Sequence, residues 1–152
     1  MLVEINTTSE RETKKVAALL AEEIMKEKLR RRHALIIALI GELGAGKTTF
    51  VKGFARGLHI AGRILSPTFT LLKVHPLEAK YYSFLYHVDC YRITARDVKR
   101  ALGWEKLLKD RRSIVVVEWA DRIKKLLPKR RIDVFFSCSN KTSRTLKMVF
   151  HE

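Results

Sequence analysis

A chain of 152 residues that is 47% hydrophobic suits one domain with a real core and is too apolar to be disordered. Its 31 Lys+Arg against 16 Asp+Glu give a formal net charge of +15, which attracts polyanions such as RNA, although solvated helix faces produce the same excess. Cys90 and Cys138 form no CxxC or CxxH pattern, so no zinc site is indicated, and the longest apolar run, Ala34–Ile40, is too short to cross a bilayer.

Met1–Asn6 leads into a polar, helix-like segment rather than a secretory pattern, so a reduced, cytoplasmic protein without a membrane partner is expected. Leu2–Ile5 reads as a short edge strand. Thr8 or Ser9 can cap a helix, with Glu12 near the reciprocal capping position. Val16, Leu19, Leu20, Ile24 and Leu29 follow helical spacing and predict a helix from Glu10 to Leu29. Arg30, Arg31, Arg32 and His33 then form a basic turn against the negative C-terminal end of that helix. Ala34–Ile40 is continuously apolar, as a strand buried on both faces must be. A glycine turn follows, then a helix from Lys47 to Leu58 that ends near Gly62. Phe69–Val74 and Tyr81–Val88 read as strands joined by a loop at His75–Glu78, where Pro76 marks the turn. Arg96–Leu102 and Trp104–Leu108 read as short helices broken at Gly103. Ile114–Val117 is a second fully apolar strand. Ile132–Phe136 and Thr145–Phe150 bracket SCSNKTSR as a closing hairpin. Strands interleaved with helices, without repeat or linker, imply a single layered α/β domain over residues 1–152.

The turn after the first buried strand reads Gly41-Glu42-Leu43-Gly44-Ala45-Gly46-Lys47-Thr48, a full G-x-x-x-x-G-K-[ST] match. Each part has a physical task. Glycines reach backbone conformations that other residues resist, and their N–H groups can converge on phosphate oxygens. The following helix directs its positive end at the same anion. Lys47 supplies a mobile charge for the outer phosphates, and the Thr48 hydroxyl is a magnesium ligand. A guanine-specific enzyme would carry Asn-Lys-x-Asp. Asn140-Lys141-Thr142-Ser143 lacks the acid, so ATP is the expected nucleotide.

Phosphoryl transfer needs a magnesium ion and a group that places the nucleophile. Glu118 ends the apolar run Ile114–Val117, and Asp89 ends Phe84–Val88 in the same way. Ligands of open α/β sheets bind beyond the carboxyl ends of strands, which puts both acids at the site, although each would serve equally as a helix cap or surface ion-pair partner. In Ser66-Pro67-Thr68-Phe69-Thr70 the proline holds Ser66 extended. The Ser66 and Thr68 hydroxyls then suit a γ-phosphate switch, or the segment is simply a rigid lead into a strand.

GELGAGKTTFVKG, SPTFTL, HVDCYR and VVVEW, in that order and spacing, resemble the TsaE (YjeE) family, small ATPases of bacterial tRNA threonylcarbamoyladenosine synthesis. The resemblance runs from the Thr13 helix to the Arg144 strand. It implies a three-layer P-loop NTPase-like domain with a mixed central sheet. It implies that Gly41–Thr49 (Gly41, Glu42, Leu43, Gly44, Ala45, Gly46, Lys47, Thr48, Thr49) bind ATP. Thr48, Asp89 and Glu118 would hold magnesium, and Asp89, Glu118 and Lys47 would be catalytic. Trp119 would form part of the site wall, Ser66 and Thr68 the switch, Glu10 would lie by the adenine and Arg144 would approach the nucleotide. The implied partners are TsaB and TsaD, and hydrolysis, slow in the isolated chain, would support turnover of their complex while TsaD performs the transfer. The family commonly carries an acidic stretch after HxDxYR. Here Thr94–Arg100 is mostly basic, which alters the partner-facing surface and leaves room for direct tRNA contact through the basic surface. From the residues themselves two other readings stay open. One is a small-molecule P-loop kinase that recruits Arg92–Arg112 as a lid. The other is a basic RNA-binding module with regulatory nucleotide binding.

Overall fold

The two continuous apolar runs become neighbouring parallel strands at the centre of the sheet. The computed structural model describes residues 1–28, 31–64 and 71–152. Its strands are β1 (Leu2–Thr7), β2 (Leu35–Ile40), β3 (Leu72–Pro76), β4 (Phe84–Asp89), β5 (Ser113–Glu118), β6 (Ile132–Cys138) and β7 (Arg144–Phe150). They form one mixed sheet in the order β1-β7-β6-β2-β5-β4-β3. β6, β2, β5 and β4 run parallel, and antiparallel neighbours close both edges.

Alternation along β2 explains its unbroken hydrophobicity. Leu35, Ile37 and Leu39 face one core with Ala17, Ala21 and Ile24 of α1 (Glu10–Lys26) and Phe50 and Phe54 of α2 (Lys47–Gly57). Ile36 and Ala38 face the other. There they meet Val98 of α3 (Ala95–Ala101), Trp104 and Leu107 of α4 (Trp104–Lys109), and Ile123 of a 3₁₀ segment, Ala120–Leu126. A strand covered on both sides has no solvent face on which to place polar residues. The result is the three-layer architecture expected.

α1 and α2 pack unusually close. A Cβ at Gly53 would lie 2.3 Å from the Lys14 carbonyl oxygen, and one at Gly57 would lie 2.4 Å from that of Ala18. Glycines one turn apart on α2 therefore seat the helix that begins with Lys47 and Thr48.

Several boundaries differ from the sequence expectation. α1 begins with Ser9 as its cap, its hydroxyl accepting the Glu12 N–H at 3.1 Å, but it stops at Lys26 rather than Leu29 because Glu27 turns extended. β3 runs through His75 and Pro76, which were read as a loop. It is an edge strand, so the missing proline N–H removes no ladder bond from a central position. β4 starts at Phe84 rather than Tyr81. The 3₁₀ segment was not anticipated. Leu29, Arg30 and residues 65–70, including Ser66, Thr68 and the start of the predicted Phe69 strand, lie outside the described residues.

Candidate functional site

The C-terminal ends of β2, β4 and β5 open onto a pocket of about 590 Å³. After β2 the chain turns through Gly44 (φ 77°) and Gly46 (φ 107°), left-handed conformations that favour glycine. Gly46 caps α2 without a side-chain hydrogen bond, at the helix end where anions bind. A Cβ at Gly41 would meet Phe136 at 2.9 Å, which fixes the loop against β6.

Lys47 is 5% exposed, and its ammonium donates to the Gly41 and Glu42 carbonyls. It also lies 3.9 Å from the centre of the Trp119 ring. Burial lowers its pKa, while Glu118, Asp121, Asp89 and Glu42 work in the opposite direction. These contacts hold a desolvated cation beside the loop amides.

Glu118 is 2% exposed. One of its oxygens accepts the Thr48 hydroxyl at 2.8 Å, and the other lies 2.6 Å from His87 Nε2. The His87 ring is fully buried and its Nδ1 has no partner among the described residues, so the Nε2–H tautomer makes the contact to Glu118 a hydrogen bond. Parallel pairing sets Asp89 opposite Glu118 at the strand ends. Asp89 Oδ1 accepts the Tyr91 N–H at 2.9 Å. The Thr48 hydroxyl and two carboxylates therefore border one pocket, an oxygen-rich donor set suited to a hard divalent cation such as magnesium.

Trp119 follows Glu118 with φ 58°, a strained backbone for a bulky side chain and of the kind that gathers at functional sites. Its ring meets Tyr91 at 4.9 Å, and the Arg122 guanidinium lies 5.5 Å from Tyr91 and 5.6 Å from Trp119. An aromatic wall held by cations thus bounds one side of the pocket. On the other side Arg144 donates to the carbonyls of Asn140 and Lys141 in its own hairpin and to that of Gly44 at 3.2 Å, tying the β6–β7 turn to the glycine loop.

Of the residues expected at the site, Glu10, Leu43, Gly44, Gly46, Lys47, Thr48 and Thr49 line the pocket, as do Asp89, Glu118, Trp119 and Arg144. Gly41, Glu42 and Ala45 belong to the loop but are not among the lining residues; Ala45 is buried beneath it. Ser66 and Thr68 lie outside the described residues. Sequence reasoning gave no role to Thr13, Tyr91, Lys141 or Thr142, which also line the pocket, or to His87 behind it. HVDCYR contains both His87 and Tyr91, but only the strand register reveals where they point.

Comparison with known proteins is consistent along the chain. The family model described as threonylcarbamoyl adenosine biosynthesis protein TsaE matches residues 7–146. A Bacillus subtilis protein named tRNA threonylcarbamoyladenosine biosynthesis protein TsaE is 40% identical over 99 residues, 65% of this chain and 59% of that protein. The protein of the same name from Nostoc sp. is 38% identical over 112 residues, 72% of this chain and 66% of its own length. The one from Haemophilus influenzae is 32% identical over 105 residues, 69% and 64% of the two chains. In each of these three, the matched segment spans less than two thirds of the relative's own length. The crystal structure of Bacillus subtilis YdiB superposes with a TM-score of 0.76 at 28% identity, covering 100% of this chain and 87% of the other.

Proposed function

The chain belongs to the TsaE family, and from that premise we propose that it is a magnesium-dependent P-loop ATPase supporting threonylcarbamoyladenosine modification of tRNA. The observation that carries the reading is the contact between Thr48 and Glu118, 2.8 Å across the pocket, with Asp89 paired beside it. A structural glycine turn has no use for a buried carboxylate aimed at the hydroxyl that follows its lysine.

In this reading the Gly44 and Gly46 turn and the start of α2 receive the phosphates. Lys47 exchanges its carbonyl partners for the outer phosphates, a small movement for a flexible side chain. Thr48, Asp89 and Glu118 are the groups that would hold magnesium, which neutralises charge on the phosphate oxygens. Glu118 or Asp89 orients the attacking water. His87 acts as a positioning residue, fixing one Glu118 oxygen so that the other faces Thr48. Tyr91 and Trp119 wall the site, Glu10 lies at its adenine side, and Arg144 steadies the glycine loop. Ser66 and Thr68 remain the proposed switch.

The proposed partners are TsaB and TsaD, with the transfer itself performed by TsaD and hydrolysis here supporting turnover of the assembly. Arg92 and Arg122 lie near Tyr91, but neither is bonded to the phosphate loop. A cation supplied by a partner would therefore accelerate hydrolysis by orders of magnitude. Product analysis with γ-labelled ATP tests the reaction class. Magnesium-dependent release of free phosphate is expected, and label recovered on a small-molecule acceptor would establish a kinase instead.

A further inference from the structure

We propose that the opposite end of the sheet, at the N-terminal ends of its parallel strands, is an RNA-binding rim separate from the nucleotide pocket. The strand order β6-β2-β5 brings three basic loops together there. Lys28 and Arg32 precede β2, Lys109, Arg111 and Arg112 precede β5, and Lys129 and Arg130 precede β6, all of them exposed. The loops are stitched to one another. Ala34 N donates to Leu108 O at 2.8 Å, Arg31 reaches the Tyr82 hydroxyl at 3.0 Å, and Glu27, Lys28, Arg31 and Arg130 line one shallow cavity. Neighbouring strands lie about 4.8 Å apart, so the three loops crowd into a band about 10 Å wide before side chains extend it.

Few acids offset this charge. Glu27 is paired with Arg31 at 3.6 Å, and Asp110 accepts the Arg112 N–H and the Ser113 hydroxyl. Arg131 is already held by Asp133 at 2.7 Å and serves structure. The remaining exposed cations share one end of the sheet, and their summed potential attracts a polyanion.

The partner's chemistry follows from what accompanies the charge. No large hydrophobic residue of the described parts of these three loops is exposed, so the rim lacks the apolar anchor that a protein hot spot or an inserting membrane helix uses. Arginine outnumbers lysine on it, and arginine's planar fork matches phosphate. The choice of RNA over DNA rests on the tRNA-modification reading; the phosphate-binding rim does not.

The test compares two triple charge reversals that change net charge equally. One is Arg111→Glu/Lys129→Glu/Arg130→Glu on the rim. The other is Lys15→Glu/Lys52→Glu/Arg56→Glu on the exposed faces of α1 and α2. Affinity of the full chain is measured by fluorescence anisotropy for a labelled RNA hairpin, the DNA hairpin of the same sequence, and vesicles containing anionic lipid, across a salt series. Melting temperature and ATP hydrolysis are recorded for each variant, and the three rim residues are also changed to Gln in case reversal impairs folding. Expected is a loss of RNA affinity of about tenfold or more in the rim variant, with a shallower salt dependence, and little change in the helix-face variant. ATP hydrolysis by the isolated chain stays unchanged in both. Equal weakening in the two variants, unaltered RNA binding in the folded rim variant, or binding to vesicles but not RNA would overturn the proposal. Tighter binding of the DNA hairpin would overturn the choice of RNA while leaving the ATPase reading intact.

Discussion

Substituting Gly53 by alanine tests the seating of the phosphate loop through the sign of its effect. On an exposed helix the change stabilises by about 0.8–1.0 kcal/mol, because glycine is the poorer helix former. Here the added Cβ would lie 2.3 Å from Lys14 O, 2.4 Å from Lys14 Cα and 2.7 Å from the Lys14 carbonyl carbon. Carbon atoms pack best at about 3.5–4.0 Å, so α1 and α2 must part by about 1 Å. Because the obstructing atoms are backbone, no rotamer relieves the clash. Overpacking of this kind costs about 1–3 kcal/mol and is compounded at Gly57, whose close approach to Ala18 opens with the same movement. The net expectation is destabilisation of about 1–2 kcal/mol, or a fall in Tm of about 2–8 °C for a chain of this size. Circular dichroism melts of wild type and Gly53→Ala decide it. Since α2 carries Lys47 and Thr48 in its first turn, nucleotide affinity should fall as well. A Tm equal to or above wild type would refute the close packing of the two helices.

Lys47→Ala should abolish ATP hydrolysis while leaving Tm within a few degrees of wild type; wild-type hydrolysis would remove the phosphate-loop assignment. Asp89→Ala and Glu118→Ala should each reduce hydrolysis more than ADP binding, and parallel losses would point to structural roles. His87→Ala should lower kcat far more than it raises KM, with partial rescue in His87→Asn; an unchanged kcat would deny it a positioning role. Burial pushes the Cys90 thiol up to about 12, so at pH 8 a thiol reagent should titrate a single group per folded chain, the exposed Cys138. Two rapidly reacting thiols would contradict the burial of Cys90.

What could be read from the sequence was what local physics dictates. β2 and β5 stood out because a strand covered on both faces leaves an unbroken apolar run, and the glycine loop because only glycine holds φ 77° and 107° without strain. Asp89 and Glu118 were legible as strand-end acids. The role of His87 was not. Its approach to Glu118 depends on β4–β5 pairing, in which His87 stands opposite Val116 and so diagonal to Glu118 on the same face. The 3₁₀ segment escaped notice because its cap, Trp119, takes a left-handed conformation where no glycine signals a turn. The run of β3 through Pro76 was hidden because proline reads as a breaker until the strand is known to be an edge. Net charge left a polyanion partner and solvated helix faces equally open, and only the strand order brings the cations before β2, β5 and β6 to the end opposite the pocket.

We propose that this chain hydrolyses ATP in service of a tRNA-modifying assembly. The most direct test is steady-state phosphate release by the chain alone, with its cognate TsaB and TsaD, with tRNA, and with all of these together, each run beside Lys47→Ala. Expected are slow release alone, a rise of an order of magnitude or more with the protein partners, consistent with a cation supplied in trans, and no release from Lys47→Ala in any mixture. A rate that is the same in every mixture, at concentrations where a complex is shown to form, would contradict the proposal.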